Sequence, residues 1–460
     1  MIYYLSMQAA LYHLSSTLSI TPQAPLKDKE VLKLKPEQIL SDLIKINTVN
    51  PPGNETAAAV YLKQIFDSAG IPNEIIESEK GRGNFIARLG EGGRRLLFLS
   101  HTDVVPAGDD WDDDPFSGSI YDNTVHGRGA LDCKGLTAAQ ASAMLNLAQN
   151  KTPLNGTLIF AATADEEKGG GFGVKMLLDR YPEKLRSDFA INEGAEEPVQ
   201  LGSNTVFFIQ VGEKGTAWSR LISRGKACHG SIPTLGENAL VKMVSSIKAL
   251  SGYKPEIVLI PEVKRLLTEL SKIKGFGASL SPENADKIIS SLGDKNLSET
   301  LRSMTRMTVS PNMISGGEKI NIVPSLCQAE VDIRVLPGQN LEYVRDELRK
   351  FVSREIEIDV FNYHQPTFST SETEYYRLIE KTTREAAGAG VICLPYISPG
   401  ATDSRYLRLA GIPSYGIGHM ADGYDQSVKE TIHGRNERID IPSLKLRTDF
   451  LIALARGYLT

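Results

Sequence analysis

Histidine and carboxylate side chains recur at a few close spacings along this chain. His101 and Asp103 stand in Leu99-Ser100-His101-Thr102-Asp103. Glu166 and Glu167 end Thr163-Ala164-Asp165-Glu166-Glu167, and Glu193 follows Ile191-Asn192. Asp132 sits in the glycine-rich Gly127-Arg128-Gly129-Ala130-Leu131-Asp132-Cys133-Lys134-Gly135. Imidazole nitrogen and carboxylate oxygen together suit zinc or a similar divalent ion. Several carboxylates need not repel one another when two cations lie between them, and such a pair can activate water and polarise a carbonyl. Each residue alone has a plainer reading: a strand-end histidine is usually structural, and adjacent glutamates usually face solvent. The run from Asp109 to Asp114 reads as an acidic loop.

Elements that gather these residues raise the set above its members. Residues 95–101 and 157–163 are apolar without alternation, which fits strands buried on both faces. Residues 188–192 are a shorter case, and 135–148 read as a helix between the first two strands. Helices are also expected from Pro36 and over 55–69, with Gly70 closing the second. Ligands of α/β sheets sit beyond the carboxyl ends of strands, so three strand ends deliver their polar groups to one rim. From about residue 211 the texture changes. Strands at 217–223, 307–314, 326–335 and 356–361 and helices at 238–250 and 341–351 give βαββαβ, a ferredoxin-like order. Residues 251–306 are extra: helical, polar and lysine-rich. The economical organisation is an α/β domain (1–212 and 366–460) interrupted by an inserted α+β domain (213–365).

Composition excludes several classes of function. Of 460 residues, 41% are hydrophobic and 23% charged, which excludes extensive disorder. Lys+Arg 51 against Asp+Glu 56 gives a net charge of −5 with no basic tract, so nucleic acid is not an expected partner. No run approaches the ~18 apolar residues of a membrane span. Cys133, Cys228, Cys327 and Cys393 form no C-x-x-C pair, and a reducing cytoplasm is expected. Residues 1–20 are fairly apolar but lack a basic leader and a cleavage motif. A start at Met7, or a loosely packed extension, is expected there rather than a signal peptide.

The motifs, in order, resemble the M20 metallopeptidases. They are His101-Thr102-Asp103-Val104-Val105-Pro106, Trp111 with Pro115-Phe116, Gly127-Arg128-Gly129-Ala130 through Gly135, and Asp165-Glu166-Glu167. Glu193-Gly194, Gly225 with His229-Gly230-Ser231, Asn321-Ile322-Val323-Pro324 and Asp332-Ile333-Arg334 follow. Ala401-Thr402-Asp403-Ser404-Arg405-Tyr406 and His433-Gly434 with Asn436-Glu437 complete the set. The resemblance spans about Leu34 to the C-terminus. It implies a zinc-exopeptidase-like α/β catalytic domain with a ferredoxin-like lid and dimerisation domain inserted. It also implies two Zn²⁺ per chain, with Co²⁺ or Mn²⁺ as substitutes. Asp132 would bridge them, His101 and Glu193 completing one position, Glu167 and His433 the other. Glu166 would be the general base, and Asp103 would hydrogen-bond a ligand imidazole and fix its tautomer.

By the same resemblance, His229 would reach a neighbouring subunit's site and stabilise the developing oxyanion. Asn321 and Arg334 would pair to bind the substrate's carboxylate end, with Gly400 in the loop that lends backbone groups. Cys133 stands where many members carry methionine and is expected to alter the mechanism little. His126 is a further candidate contact; His364 and His419 read as structural or lid-surface residues. The expected activity is hydrolysis of the amide in N-acylated amino acids or short peptides, next to a free carboxylate, as in aminoacylases and carboxypeptidases. Alternatives are a biosynthetic acetylornithine deacetylase or succinyl-diaminopimelate desuccinylase, a related aminopeptidase, and a non-catalytic binding protein on the same fold. A homodimer through the inserted domain is expected.

Overall fold

A computed structural model of the chain describes residues 34–275 and 279–460. The expectation for the N-terminal extension lies outside them. Ten strands form the main sheet. Its path runs Asn73–Glu77, Gly83–Leu89, Gly156–Thr163, Arg94–His101, Phe189–Asn192, Ser414–Ile417, Asn204–Glu213, Thr367–Phe368, with Ile392–Ser398 and Val199–Leu201 also paired to Asn204–Glu213. The sheet is mixed. Arg94–His101 runs parallel to both neighbours, whereas Gly83–Leu89 joins Gly156–Thr163 antiparallel.

The unalternating apolar run of the central strand now has its cause. Leu96 and Phe98 enter the core on one face, Leu97 and Leu99 that on the other, all fully buried. Side chains alternate across a strand, so a strand covered on both faces needs apolar residues at every position. The first face carries helices Pro36–Lys45, Lys134–Gln149 and Ile441–Leu459; the second carries Val174–Arg180 and Ser404–Leu409. Lys134 begins its helix fully buried, and its Nζ donates to Leu43 O and Ile46 O at 3.0 and 2.8 Å. Those carbonyls close the helix Pro36–Lys45, so one lysine joins a helix start to a helix end.

The second unit is a four-stranded antiparallel sheet in the order Thr308–Gly316, Leu326–Val335, Gly215–Arg224, Ile356–His364. Helices Ala239–Ser251 and Leu341–Arg349 cover one face through Met243, Leu250, Val344 and Leu348. The strand Leu326–Val335 buries Cys327, Ala329, Val331, Ile333 and Val335, the period-two pattern of a sheet covered on one side. Asp332 and Arg334 fall on its uncovered face.

Residues of the stretch 213–365 pack in two places. Helices Pro261–Ile273, Pro282–Ser290 and Lys295–Met304 leave the small sheet and join the large domain's core through Val263, Leu266, Leu267, Leu270, Ile289 and Leu301. Arg265 pairs with Glu380 at 2.7 Å, and Glu262 accepts from Ser371 N at 3.3 Å, both residues of the C-terminal segment. An apolar helix stripe states that a face is buried, not which sheet buries it. Lys214 fastens the same helices at the junction between sheets. Its Nζ donates to Ser303 O, Arg306 O and Thr308 Oγ1 at 2.9, 2.9 and 3.1 Å.

Candidate metal centre

Strand ends and one loop bring five side chains together. His101 is the last residue of its strand, Glu193 follows Phe189–Asn192, and Glu167 lies in the short turn Glu166–Lys168 after Gly156–Thr163. Asp132 precedes the helix Lys134–Gln149. Its Oδ1 is 3.0 Å from His101 Nε2, and its Oδ2 is 2.9 Å from His433 Nε2. Glu193 is 3.4 Å from His101 Nε2, and Glu167 is 3.4 Å from His433 Nε2. Asp132 therefore stands between two imidazoles, each with one glutamate beside it.

The charges are those that a cation would relieve. Burial raises the carboxyl of Asp132, but hydrogen bonds from the two imidazoles outweigh it and hold the group well below its usual range. The same contacts lift His433 to about 10. Burial, then the neighbouring Glu193, pushes Glu166 well above the usual carboxylate range. Glu167 Oε1 is buried with no hydrogen-bond partner among the described residues. An orphaned carboxylate oxygen inside a set of nitrogen and oxygen donors is what a divalent ion would satisfy.

Surrounding groups aim the donors. His101 Nδ1 lies 3.0 Å from the backbone oxygen of Asp103, which leaves Nε2 for the centre. Asp103 accepts from Glu166 N and Glu167 N, both at 3.1 Å, and from Asn50 Nδ2 at 2.8 Å. It thus holds the turn carrying both glutamates. Asp165 starts that turn with φ of 71°, a left-handed conformation that aspartate tolerates better than most residues. Arg82 and Asn50 hold its Oδ1 at 2.8 and 3.0 Å.

Sequence reading gave no separate role to Glu437, yet it clamps the Asp132 loop. Its Oε1 accepts from Leu131 N and Asp132 N at 2.8 and 3.0 Å; its Oε2 accepts from Gly129 N and Arg128 Nη1 at 2.9 and 2.6 Å. Arg128, also buried, donates to Gly434 O at 2.6 Å and so ties the Asp132 loop to the residue after His433. Glu437, Asn50 and Arg82 were missed because their partners lie far along the chain. The only available signal was Glu437 within the His433-Gly434 to Asn436-Glu437 motif.

Other candidates lie elsewhere. His126 stacks on Tyr121 with ring centroids 3.9 Å apart and stands outside the converging set. His229 and Asn321 come together on the lid: Gly230 N donates to Asn321 O at 2.8 Å, and both side chains are solvent-exposed. Asn321 and Arg334 are not brought together. Arg334 pairs with Thr216 at one end of the lid strands, and Leu326 with Arg224 at the other. At ~3.4 Å per residue Leu326 and Arg334 are about 27 Å apart. The pairing of Ile322 with His229 carries Asn321 beyond Leu326, so within one chain Asn321 and Arg334 cannot share a carboxylate. Arg334 holds Asp332 with Nε and Nη2 at 2.8 and 3.2 Å. It lies at the hinge end, where Lys214 N donates to Ser398 O at 2.9 Å, two residues before Gly400. A cavity of about 270 Å³ opens beside Asp132 and Glu193, lined also by Ser398, Pro399, Lys429 and Arg447.

Comparisons with known proteins show what the chain is similar to. A probable succinyl-diaminopimelate desuccinylase of Staphylococcus aureus is 26% identical over 359 residues, 75% of this chain and 79% of that protein. An M20 family metallo-carboxypeptidase from Sulfolobus solfataricus matches with a TM-score of 0.68 at 21% identity, covering 92% of this chain and 99% of its own. A dinuclear metal-binding M20 peptidase of Bacillus subtilis matches with a TM-score of 0.60 at 15% identity, covering 94% and 99%. No helix among the described residues is long and apolar enough to cross a membrane. The sequence model for peptidase family M20/M25/M40 matches residues 97–457, and the chain belongs to that family of metal-dependent hydrolases.

Proposed function

We propose that this chain is a two-metal amidohydrolase cleaving the amide next to a free carboxylate in N-acylated amino acids or short peptides. The observation that carries the reading is Asp132, whose two oxygens face two different imidazoles at 3.0 and 2.9 Å. His101 with Glu193 and His433 with Glu167 would each hold one divalent ion, zinc by donor type. Such a pair supplies Lewis acidity, polarising the scissile carbonyl and lowering the pKa of water. Glu166, beside the ligand Glu167, takes a proton from the attacking water and delivers it to the leaving nitrogen. Asp103 keeps His101 and the glutamate turn in register.

Arg334 holds the substrate carboxylate from the hinge side of the lid, displacing Asp332, and Gly400 lends its backbone nearby. The ~27 Å between Arg334 and the tip supports a homodimer, in which His229 and Asn321 serve the partner's site. That tip exposes Ile320, Ile322, Ile232 and Leu235, and the lid helix exposes Val241 and Val244. Apolar surface of this kind is expected to be covered. A second reading, removal of an N-succinyl group, is favoured by the name of the Staphylococcus relative.

The test is Glu166→Gln in metal-loaded enzyme, screened with N-acetyl, N-succinyl and dipeptide substrates. Two ions per chain should remain while turnover falls on the order of 10²-fold or more. Turnover at the wild-type rate moves the base elsewhere. Equal cleavage of C-terminally amidated substrates by wild type removes the carboxylate reading and favours an aminopeptidase.

A further inference from the structure

The residue after Asp132 has no part in the chemistry above. Cys133 is fully buried and occupies the N-cap of the helix Lys134–Gln149, yet its side chain makes no capping hydrogen bond. The thiols of Cys228 and Cys393 donate to backbone carbonyls. Cys133 Sγ instead lies with a ring nitrogen of His101 and a carboxylate oxygen of Glu193, all three within 4.8 Å of one another. His101 Nδ1 is engaged with the Asp103 backbone. Nε2, 3.4 Å from Glu193, therefore faces the group.

We propose that Cys133 is a thiolate ligand of the ion held by His101 and Glu193, an inference that rests on the two-metal reading. Zinc binds sulfur at about 2.3 Å and nitrogen or oxygen at about 2.0–2.2 Å, so donors of one tetrahedral ion lie about 3.4–3.6 Å apart. A trio within 4.8 Å of one another shares one ion after drawing in by up to about an ångström. The thiol gives up its proton to solvent as the Sγ–metal bond forms. Burial pushes the free thiol up to about 12, so it is the bond to the ion that drives off its proton. The two positions then differ in kind: His101, Glu193 and Cys133 form a softer site, His433 and Glu167 a harder one. The softer site should prefer zinc, cobalt or cadmium over manganese.

X-ray absorption of the zinc-loaded full chain tests this directly. A sulfur shell at about 2.3 Å, corresponding to one sulfur for every two zincs, is expected. In cobalt-substituted enzyme, a near-ultraviolet sulfur-to-cobalt charge-transfer band should grow with one equivalent of the metal and stop. Cys133→Ser should abolish the band while still binding two cobalt ions, with the affinity of one position lowered at least about tenfold. Two bound ions with a shell of nitrogen and oxygen alone, and no charge-transfer band, overturn the thiolate and leave the two-metal reading standing. Failure to bind two ions at any concentration overturns both. If Cys133→Ser does not fold, the absorption shell of the wild-type enzyme decides alone.

Discussion

On the large domain, Asp132 hangs from a loop whose amides converge on one buried glutamate, and the glutamate turn is held by Asp103. On the lid, His229 is solvent-exposed, and its ring is engaged by Ser231 Oγ at 2.7 Å, two residues away. Buried, cross-linked side chains are preorganised for transition-state charge; exposed ones gain their geometry from closure or a partner. The contrast teaches where errors are tolerated. Substitutions that loosen the large-domain half should cost folding and metal together, whereas lid substitutions should cost turnover and leave the fold intact.

Glu437→Ala presses hardest on that contrast. It strands the buried guanidinium of Arg128 and frees the amides of Gly129, Leu131 and Asp132. Breaking one side of a buried pair costs about 3–5 kcal/mol. Chemical denaturation should show that loss, and metal titration should show weaker binding. A variant with wild-type stability and two tightly held ions would mean that the loop is held by something other than Glu437.

Arg334→Ala should behave in the opposite way. The fold should persist, and kcat/KM for free-acid substrates should fall about a hundredfold, since losing a bidentate carboxylate contact costs roughly 2–5 kcal/mol. Esterified analogues should lose little more. Because Asp332 already occupies the guanidinium, Asp332→Asn sharpens the comparison: substrate would no longer compete with a charged neighbour, and KM should change more than kcat.

Subunit mixing addresses the exposed tip. Each of His229→Ala and Glu166→Gln should be nearly inactive alone. After exchange, half the dimers should be mixed, each with one complete site, recovering about a quarter of wild-type activity. No recovery despite demonstrated exchange would confine His229 to its own chain.

How much of this was readable beforehand follows distance along the chain. His101, Glu166, Glu167 and Glu193 were placed on one rim because each immediately follows an apolar run. Strand direction alone carries that inference. The lid order was readable because its four strands and two helices each carry their own apolar period. Glu437 was not seen as a clamp, since nothing local says that a carboxylate near the C-terminus accepts from amides at Gly129 and Asp132. Helix Pro261–Ile273 was assigned with the lid because its stripe names no partner. Asn321 and Arg334 were read as a pair because motif order carries no distance; strand register does, and it separates them.

Acid sensitivity should also differ between the two regions. His419 is fully buried in the large domain, between Phe207 and Phe450 at ring-centroid distances of 5.2 and 4.5 Å. Thr383 Oγ1 donates to Ile379 O at 2.9 Å, so the contact between that oxygen and His419 Nε2, also 2.9 Å, is made with the nitrogen as donor. Nδ1 is then bare, with no partner among the described residues. Protonating it would bury a cation beside Arg447, whose Nε donates to His419 O at 2.9 Å. Burial first, then Arg447, lowers the group from 6.5 to about 3. The folded pKa lies below the unfolded one, so neutral His419 costs nothing above pH 6.5. As pH falls from 6.5 toward 3, the unfolded chain takes up a proton that the folded chain refuses, and stability falls. The slope approaches about 1.4 kcal/mol per pH unit. His364 and His229 on the lid are exposed and carry no comparable burial. The two tryptophans separate the regions: Trp111 reports the large domain and Trp218 the lid sheet. In single-tryptophan variants, Trp111 should report an acid-driven loss of stability steeper than Trp218 does, and His419→Gln should flatten that loss without moving the Trp218 curve. Coincident curves, both unchanged by His419→Gln, would show that the two regions share one acid response and that His419 does not set it.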